Sequence, residues 1–209
     1  MRKIIICIFL VLTFICSCSE KDKTASDWLE KEKALWDGKQ YTDPEKAVKY
    51  LNKAIKLQPN NAETYLKRGA AYINLGQYRQ AIEDFNKAIG LKQDYASAYN
   101  NRGAAYISLG QYQQAIEDFN KAIGLKKDYV SAYNARGAAY ANLGQYEQAF
   151  EDFNKAILMK PDSAEGYNNR GAAYLMRGNK ELGCPEVQKA CTMGDCKSLE
   201  WAKRKGWCR

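Results

Sequence analysis

Along the central part of the chain, apolar and small residues recur at three- and four-residue steps. In 62–76, Tyr65, Gly69, Tyr72 and Leu75 fall on one face of a helix. Gly76-Gln77 stops it, because glycine readily takes the backbone conformation that ends a helix. From about Tyr78 to Leu91 a second helical pattern puts Ala81, Ile82, Phe85, Ala88 and Ile89 on its inner face. Asp94, Asp128 and Asp162 stand just before the next first helix, where a short carboxylate can cap free backbone N–H groups. The pattern predicts a helix hairpin.

The hairpin is copied. Arg68-Gly69-Ala70-Ala71 returns at Arg102-Gly103, Arg136-Gly137 and Arg170-Gly171, each time by the same step. The phrase beginning at Ala81 returns by that step at Ala115 and, with Phe for Ile, at Ala149. One hairpin cannot bury its apolar face alone, whereas stacked copies can. One period upstream of the first clear copy, Leu35 stands for Gly69, Ala47 for Ala81, Leu51 for Phe85 and Ala54 for Ala88. Asp43-Pro44 is a good helix start, since Pro lacks only an N–H that would be free there. Residues 27–61 therefore read as a divergent first repeat, with Trp28, Leu29 and Leu35 helping to close that end. Repeats follow at 62–95, 96–129 and 130–163, then a partial repeat with a cysteine-rich cap over 164–209.

The unit resembles the tetratricopeptide repeat (TPR). Tyr65, Gly69, Tyr72, Ala81, Phe85 and Ala88 hold that family's signature places, and Pro59 and Pro161 stand where its second helix often ends. The resemblance covers about three quarters of the chain. It implies an all-α, right-handed solenoid of helix hairpins whose first helices line a concave groove. Mapped onto this chain, the groove rows are Leu66, Asn100, Asn134 and Asn168; then Asn74, Ser108, Asn142 and Met176. A third row is Ala70, Ala104, Ala138 and Ala172, and a fourth is Ile73, Ile107, Ala141 and Leu175. Small residues let a ligand approach, and side-chain amides can both donate to and accept from a peptide backbone. The implied partner is a protein, met through an extended peptide or a helix. The same amides could equally be plain solvent-facing surface. Of the basic set used by the family's carboxylate-clamp subtype, only Lys67 is suggestive here.

A charge pattern rides on the repeat. Arg68, Arg102, Arg136 and Arg170 are each followed, at one fixed interval, by an acid: Asp84, Asp118, Asp152 and Glu186. In the divergent unit the equivalents are Ala34 and Tyr50, so both charges go together. Structural ion pairs account for this better than an arginine ladder for an anionic ligand, because a partly buried guanidinium favours a bidentate carboxylate.

The N-terminus bears on compartment. Met1-Arg2-Lys3 precedes an apolar run from Ile4 to Ile15, too short for an ordinary membrane span. It reads as a secretory signal. Ile15-Cys16-Ser17-Cys18 resembles the bacterial lipobox, which implies a signal peptide of 1–17 and lipid on Cys18. Such an anchor holds strongly, each buried CH₂ contributing ~0.8 kcal/mol. Ser19, not Asp, follows, which by likeness to enterobacterial sorting favours the outer membrane, facing the periplasm. Cys18 and the polar residues to 26 form the tether.

Composition changes this picture little. The net charge of +8 is spread along helices that also carry acids. No basic stripe with interleaved aromatics suggests nucleic acid. Lys203-Arg204-Lys205 and Arg209 suit a helix C-terminus, with anionic lipid or cell wall as the alternative. There is no His, which removes the commonest general base and metal ligand. No phosphate loop or serine-nucleophile motif is present, so neither enzyme chemistry nor a cofactor is expected.

Four cysteines remain beyond Cys18: Cys184, Cys191, Cys196 and Cys208. In an exported chain this implies two disulfides with three connectivities. Short helices over 185–193 and about 196–205 would place Cys191 near Cys196 and Cys184 near Cys208. A four-cysteine zinc site is the alternative, although close Cys pairs are lacking. Three roles remain open: a protein-binding scaffold of the envelope, a cell-wall-associated structural lipoprotein, and a tether for a catalytic partner.

Overall fold

The computed structural model describes residues 23–209. The signal segment, Cys18 and residues 19–22 lie outside the described residues. Eleven helices follow among those described: α1 Ala25–Lys33, α2 Pro44–Leu57, α3 Ala62–Asn74, α4 Tyr78–Leu91, α5 Ala96–Ser108, α6 Tyr112–Leu125, α7 Val130–Asn142, α8 Tyr146–Met159, α9 Ala164–Met176, α10 Lys180–Thr192 and α11 Lys197–Arg204. They pair as hairpins from α1–α2 to α9–α10, and each hairpin packs on the next. First helices also touch across the stack: α3 meets α5, α5 meets α7, and α7 meets α9. Among the described residues no two second helices pack to that extent. The first helices therefore run along the inside of the curve. The result is an all-α solenoid whose inner face is made by one helix of each pair.

The core has the same pattern in each central hairpin. Ala81, Phe85 and Ala88 are wholly buried, as are Ala115, Phe119 and Ala122. Each Phe ring packs against the first helix at a glycine. A Cβ built on Gly103 would stand 2.8 Å from the Phe119 ring, and one on Gly137 would stand 2.7 Å from Phe153. A methyl at these places would push the helices apart. The hairpin turn needs a different glycine: Gly110, at φ +72°, adopts a conformation that residues with a Cβ avoid.

Several sequence expectations are corrected. Asp94, Asp128 and Asp162 do not cap, because each stands one residue ahead of the N-cap Tyr95, Tyr129 or Ser163. The main-chain carbonyls of Asp94 and Asp128 take the first amides instead, at 3.2 and 3.0 Å. The tether ends early, because Thr24 and Asp27 close a capping box that starts α1 at Ala25. α1 then stops at Lys33, so Leu35 is not in the helical place of Gly69. A turn at Gly38 replaces the last part of that helix, with an antiparallel bridge between Trp36 and Tyr41. Trp28 is buried against Ala25, Ala54 and Tyr50 and closes this end.

At the other end, α10 begins at Lys180, five residues before the expected start. Pro185 lies inside it and removes one backbone hydrogen bond. The helix persists because Gly183, Val187 and Ala190 occupy the places of Ala81, Phe85 and Ala88, three repeats on. α11 packs on both α9 and α10, as a further first helix would. Its Trp201 falls one repeat period after Tyr167. Cys184 is bonded to Cys208, with Cα atoms 5.6 Å apart, and Cys191 to Cys196, with Cα atoms 4.0 Å apart. All four sulfurs are therefore in disulfides and none is left for a zinc site. The staples hold α11 over Leu175 and Val187 and close the stack.

Gly103→Val is expected to lower thermal stability by about 1–3 kcal/mol through overpacking against Phe119. Gly90→Ala should raise it by about 0.5 kcal/mol, since a Cβ there meets nothing within 4 Å. Thermal unfolding followed by circular dichroism reads both; the reverse order of stabilities would contradict the packing described.

Candidate functional site

The charged residues of the repeat are joined to each other. Arg68 donates from Nε and Nη2 to both carboxylate oxygens of Asp84, at 2.7 and 2.6 Å. Its Nη1 donates to Asn52 Oδ1 of the preceding hairpin, at 2.6 Å. Arg102 takes Asp118 and Asn86 in the same way. Arg136 takes Asp152 and Asn120. Arg170 takes Glu186 and Asn154, with the Nε contact lengthened to 3.3 Å by the longer acid. The bond to Asp84 holds the Arg68 proton more tightly than an ordinary guanidinium would. Sequence reasoning missed the asparagines. Their signal was present: Asn52 keeps its place in the divergent unit, where both charges are lost.

Within the row Asn100, Asn134 and Asn168, the last two do not line an open groove: Asn134 is 1% exposed and Asn168 8%. Both are turned toward the next helix in the stack. Asn134 Oδ1 lies 3.8 Å from where a Gly166 Cβ would stand. Asn168 Oδ1 accepts from the Ser198 amide at the start of α11, at 3.3 Å. Asn100 is half-buried and donates to Asn101 at 3.4 Å. Neither polar atom of the Asn134 side chain finds a hydrogen-bond partner in the protein.

The second row is exposed but engaged. Asn74 Oδ1 accepts from the Tyr41 amide at 3.0 Å. Ser108 and Asn142 donate to Ala104 and Ala138 carbonyls one turn back, at 3.2 and 2.8 Å. The alanine row carries no side-chain polar group and is partly open: Ala104 is exposed, and Ala70, Ala138 and Ala172 are half-buried.

The N-terminal end of the inner face is indented. Two adjoining cavities of about 290 and 210 Å³ share Trp36, Ala70 and Asn101 in their walls. Trp36 comes from the divergent loop and is 43% exposed. Its ring stands edge-on to Tyr41, with centroids 5.0 Å apart. Tyr41 is buried and donates its hydroxyl to Glu32, whose carboxylate also accepts from Lys67 Nζ at 3.0 Å. Burial, then the Glu32 contact, pushes the Tyr41 phenol above its ordinary range.

No cluster of three or more His, Cys, Asp or Glu side chains that could hold a metal ion exists among the described residues. No described helix is long and apolar enough to cross a membrane.

The geometry agrees with what the chain is similar to. Family models described as tetratricopeptide repeat match residues 96–129 and 50–83, and one described as TPR repeat matches 71–110 and 137–178. A solved structure of MamA is 32% identical, with a TM-score of 0.65; the match covers 76% of this chain and 92% of that one. TTC0263, a thermophilic TPR protein of Thermus thermophilus, is 20% identical, with a TM-score of 0.71, covering 86% and 98%. YrrB, described as a TPR protein with an unusual peptide-binding site, is 22% identical, with a TM-score of 0.66, covering 88% and 94%. These last two likenesses show the fold alone. Among curated proteins nothing matches.

Arg102→Ala is expected to lower stability by about 1–3 kcal/mol, because it leaves the Asp118 carboxylate buried without its donor. Asn86→Ala should lose about 1 kcal/mol or less, for one exposed hydrogen bond. Asn134→Leu is expected to raise the unfolding midpoint. It removes a buried amide without partners, and Leu66 already fills the equivalent place. An unchanged or lowered midpoint would show that the Asn134 amide is satisfied.

Proposed function

The chain belongs to the tetratricopeptide-repeat family, and from that premise we propose that it is an envelope-anchored scaffold that binds proteins rather than catalysing a reaction. A peptide or helix of the partner lies in the concave face. The observation that carries this is the inward placement of the first helices, which leaves the alanine row open down the inner face. Small side chains there expose a long apolar strip flanked by polar edges, a surface that a partner segment can cover. The buried Asn134 and Asn168 contribute shape to the stack and no contact to the ligand. The anchor is the lipid on Cys18, and the compartment is the periplasmic face of the outer membrane. The lipobox-like Ile15-Cys16-Ser17-Cys18 and the four cysteines paired as disulfides support export.

Crosslinking pull-downs from detergent-solubilised envelopes test both parts. Ala138→Arg, introduced on the inner face, is expected to abolish capture of the partner while helicity stays unchanged. Capture that survives Ala138→Arg would remove the groove as the binding surface. Cys18→Ala should abolish incorporation of labelled palmitate and release the protein from membranes. Palmitate labelling that persists would refute the lipid anchor.

A further inference from the structure

We propose that the Trp36 loop builds a side-chain pocket at the N-terminal end of the groove, for a large apolar residue flanked by an acid in an extended partner segment. This rests on the groove reading and adds a position and a chemistry to it.

Three observations carry the proposal. The first is that Trp36 is exposed and yet held. Its loop is closed by the bridge to Tyr41 and by a Thr42 N–H bond to the Leu35 carbonyl at 2.9 Å. Tyr41 is fixed to α3 through its amide to Asn74 and to α1 through its hydroxyl to Glu32. A floppy tryptophan would lose entropy on binding a partner; this one is already placed. Rigid aromatic side chains with one bare face are the usual anchors of recognition surfaces.

The second is shape. The cavities beside Trp36 total a few hundred cubic ångströms and are open to the groove. Leu66 and Ala70 supply an apolar floor, and Ala104 leaves the way along α5 clear. The space suits one large side chain, and the Asn101 amide beside it can meet a peptide bond. A whole helix would be too wide for so local an opening.

The third is charge. Lys33 and Lys39 stand in the walls, and among the described residues neither forms a salt bridge. Lys67 is neutralised by Glu32, which is buried beneath it. The other nearby acids are engaged: Glu63 stands 3.8 Å from Lys67, and Asp37 accepts the Lys39 and Gln40 amides, both at 2.8 Å. The two free lysines favour a carboxylate next to the apolar anchor.

The test is to pan a phage-displayed random dodecapeptide library on the full-length protein, then measure the selected peptides by fluorescence anisotropy. The expected peptides carry Phe, Trp, Tyr or Leu within two residues of Asp or Glu. Trp36→Ala should weaken them at least about tenfold with circular dichroism unchanged. Lys33→Glu/Lys39→Glu should weaken them too, and should redirect selection toward Lys and Arg. Peptides without the apolar–acidic pairing, or with the same affinity for Trp36→Ala, would overturn the pocket. Peptides lost with Ala138→Arg but kept with Trp36→Ala would overturn the pocket and leave the groove standing. An empty selection overturns the pocket too, while capture of intact partners in the envelope pull-down would still uphold the groove.

Discussion

The structure depends on one repeated contact, the arginine fork that spans a seam between hairpins. The second helices α4, α6 and α8 each carry two acceptors, two residues apart. Asp84 serves the arginine of its own hairpin, and Asn86 serves the arginine of the next. A guanidinium is planar and its donors are fixed, so one group sets both distance and angle between the elements it joins. A half-buried ion pair of this kind adds little net stability, since removing charge from water offsets most of the attraction. Its effect is on register. The alanines and the Phe–Gly contacts bring the hairpins close, and the fork decides where along the seam they settle. This explains the divergent first unit. Tyr50 replaces the acid there because no arginine precedes it, while Asn52 stays because Arg68 follows.

Much of this was legible in the sequence, and for a physical reason. A repeat at a fixed spacing reports neighbour-to-neighbour contacts directly, so helix order, inner faces and the arginine–acid pairs could be read from periodicity. What could not be read was direction at fine angle. Asn134 lies one residue past Tyr133 and one turn before Ala138, and on a helix it stands near the border between groove and seam. Only the tilt of the next hairpin decides that it is buried there. Asp94 failed as a cap by one residue, a distance within which sequence signals for helix starts do not discriminate. Pro185 marked a helix start that the packing of Gly183 and Val187 overrode. The Trp36 loop breaks the repeat register altogether, so no periodic argument could reach it.

The irregular ends are where identity enters. Identical units offer identical groove surfaces, so a partner segment could shift by one hairpin, and by the matching rise, with nearly the same contacts. A regular solenoid therefore supplies area without position. The C-terminal end is covered by α11, which packs on Leu175 and Val187 and is held by two disulfides. The N-terminal end differs, because the loop between α1 and α2 puts Trp36 in the wall of two cavities that Ala70 and Asn101 also line. That loop occurs once in the described chain. A partner that engages it is fixed in register along the remaining units, and the alanine row then extends the contact without having to discriminate. Specificity at one end and area along the rest is the arrangement that follows when a uniform stack must hold a segment in one place.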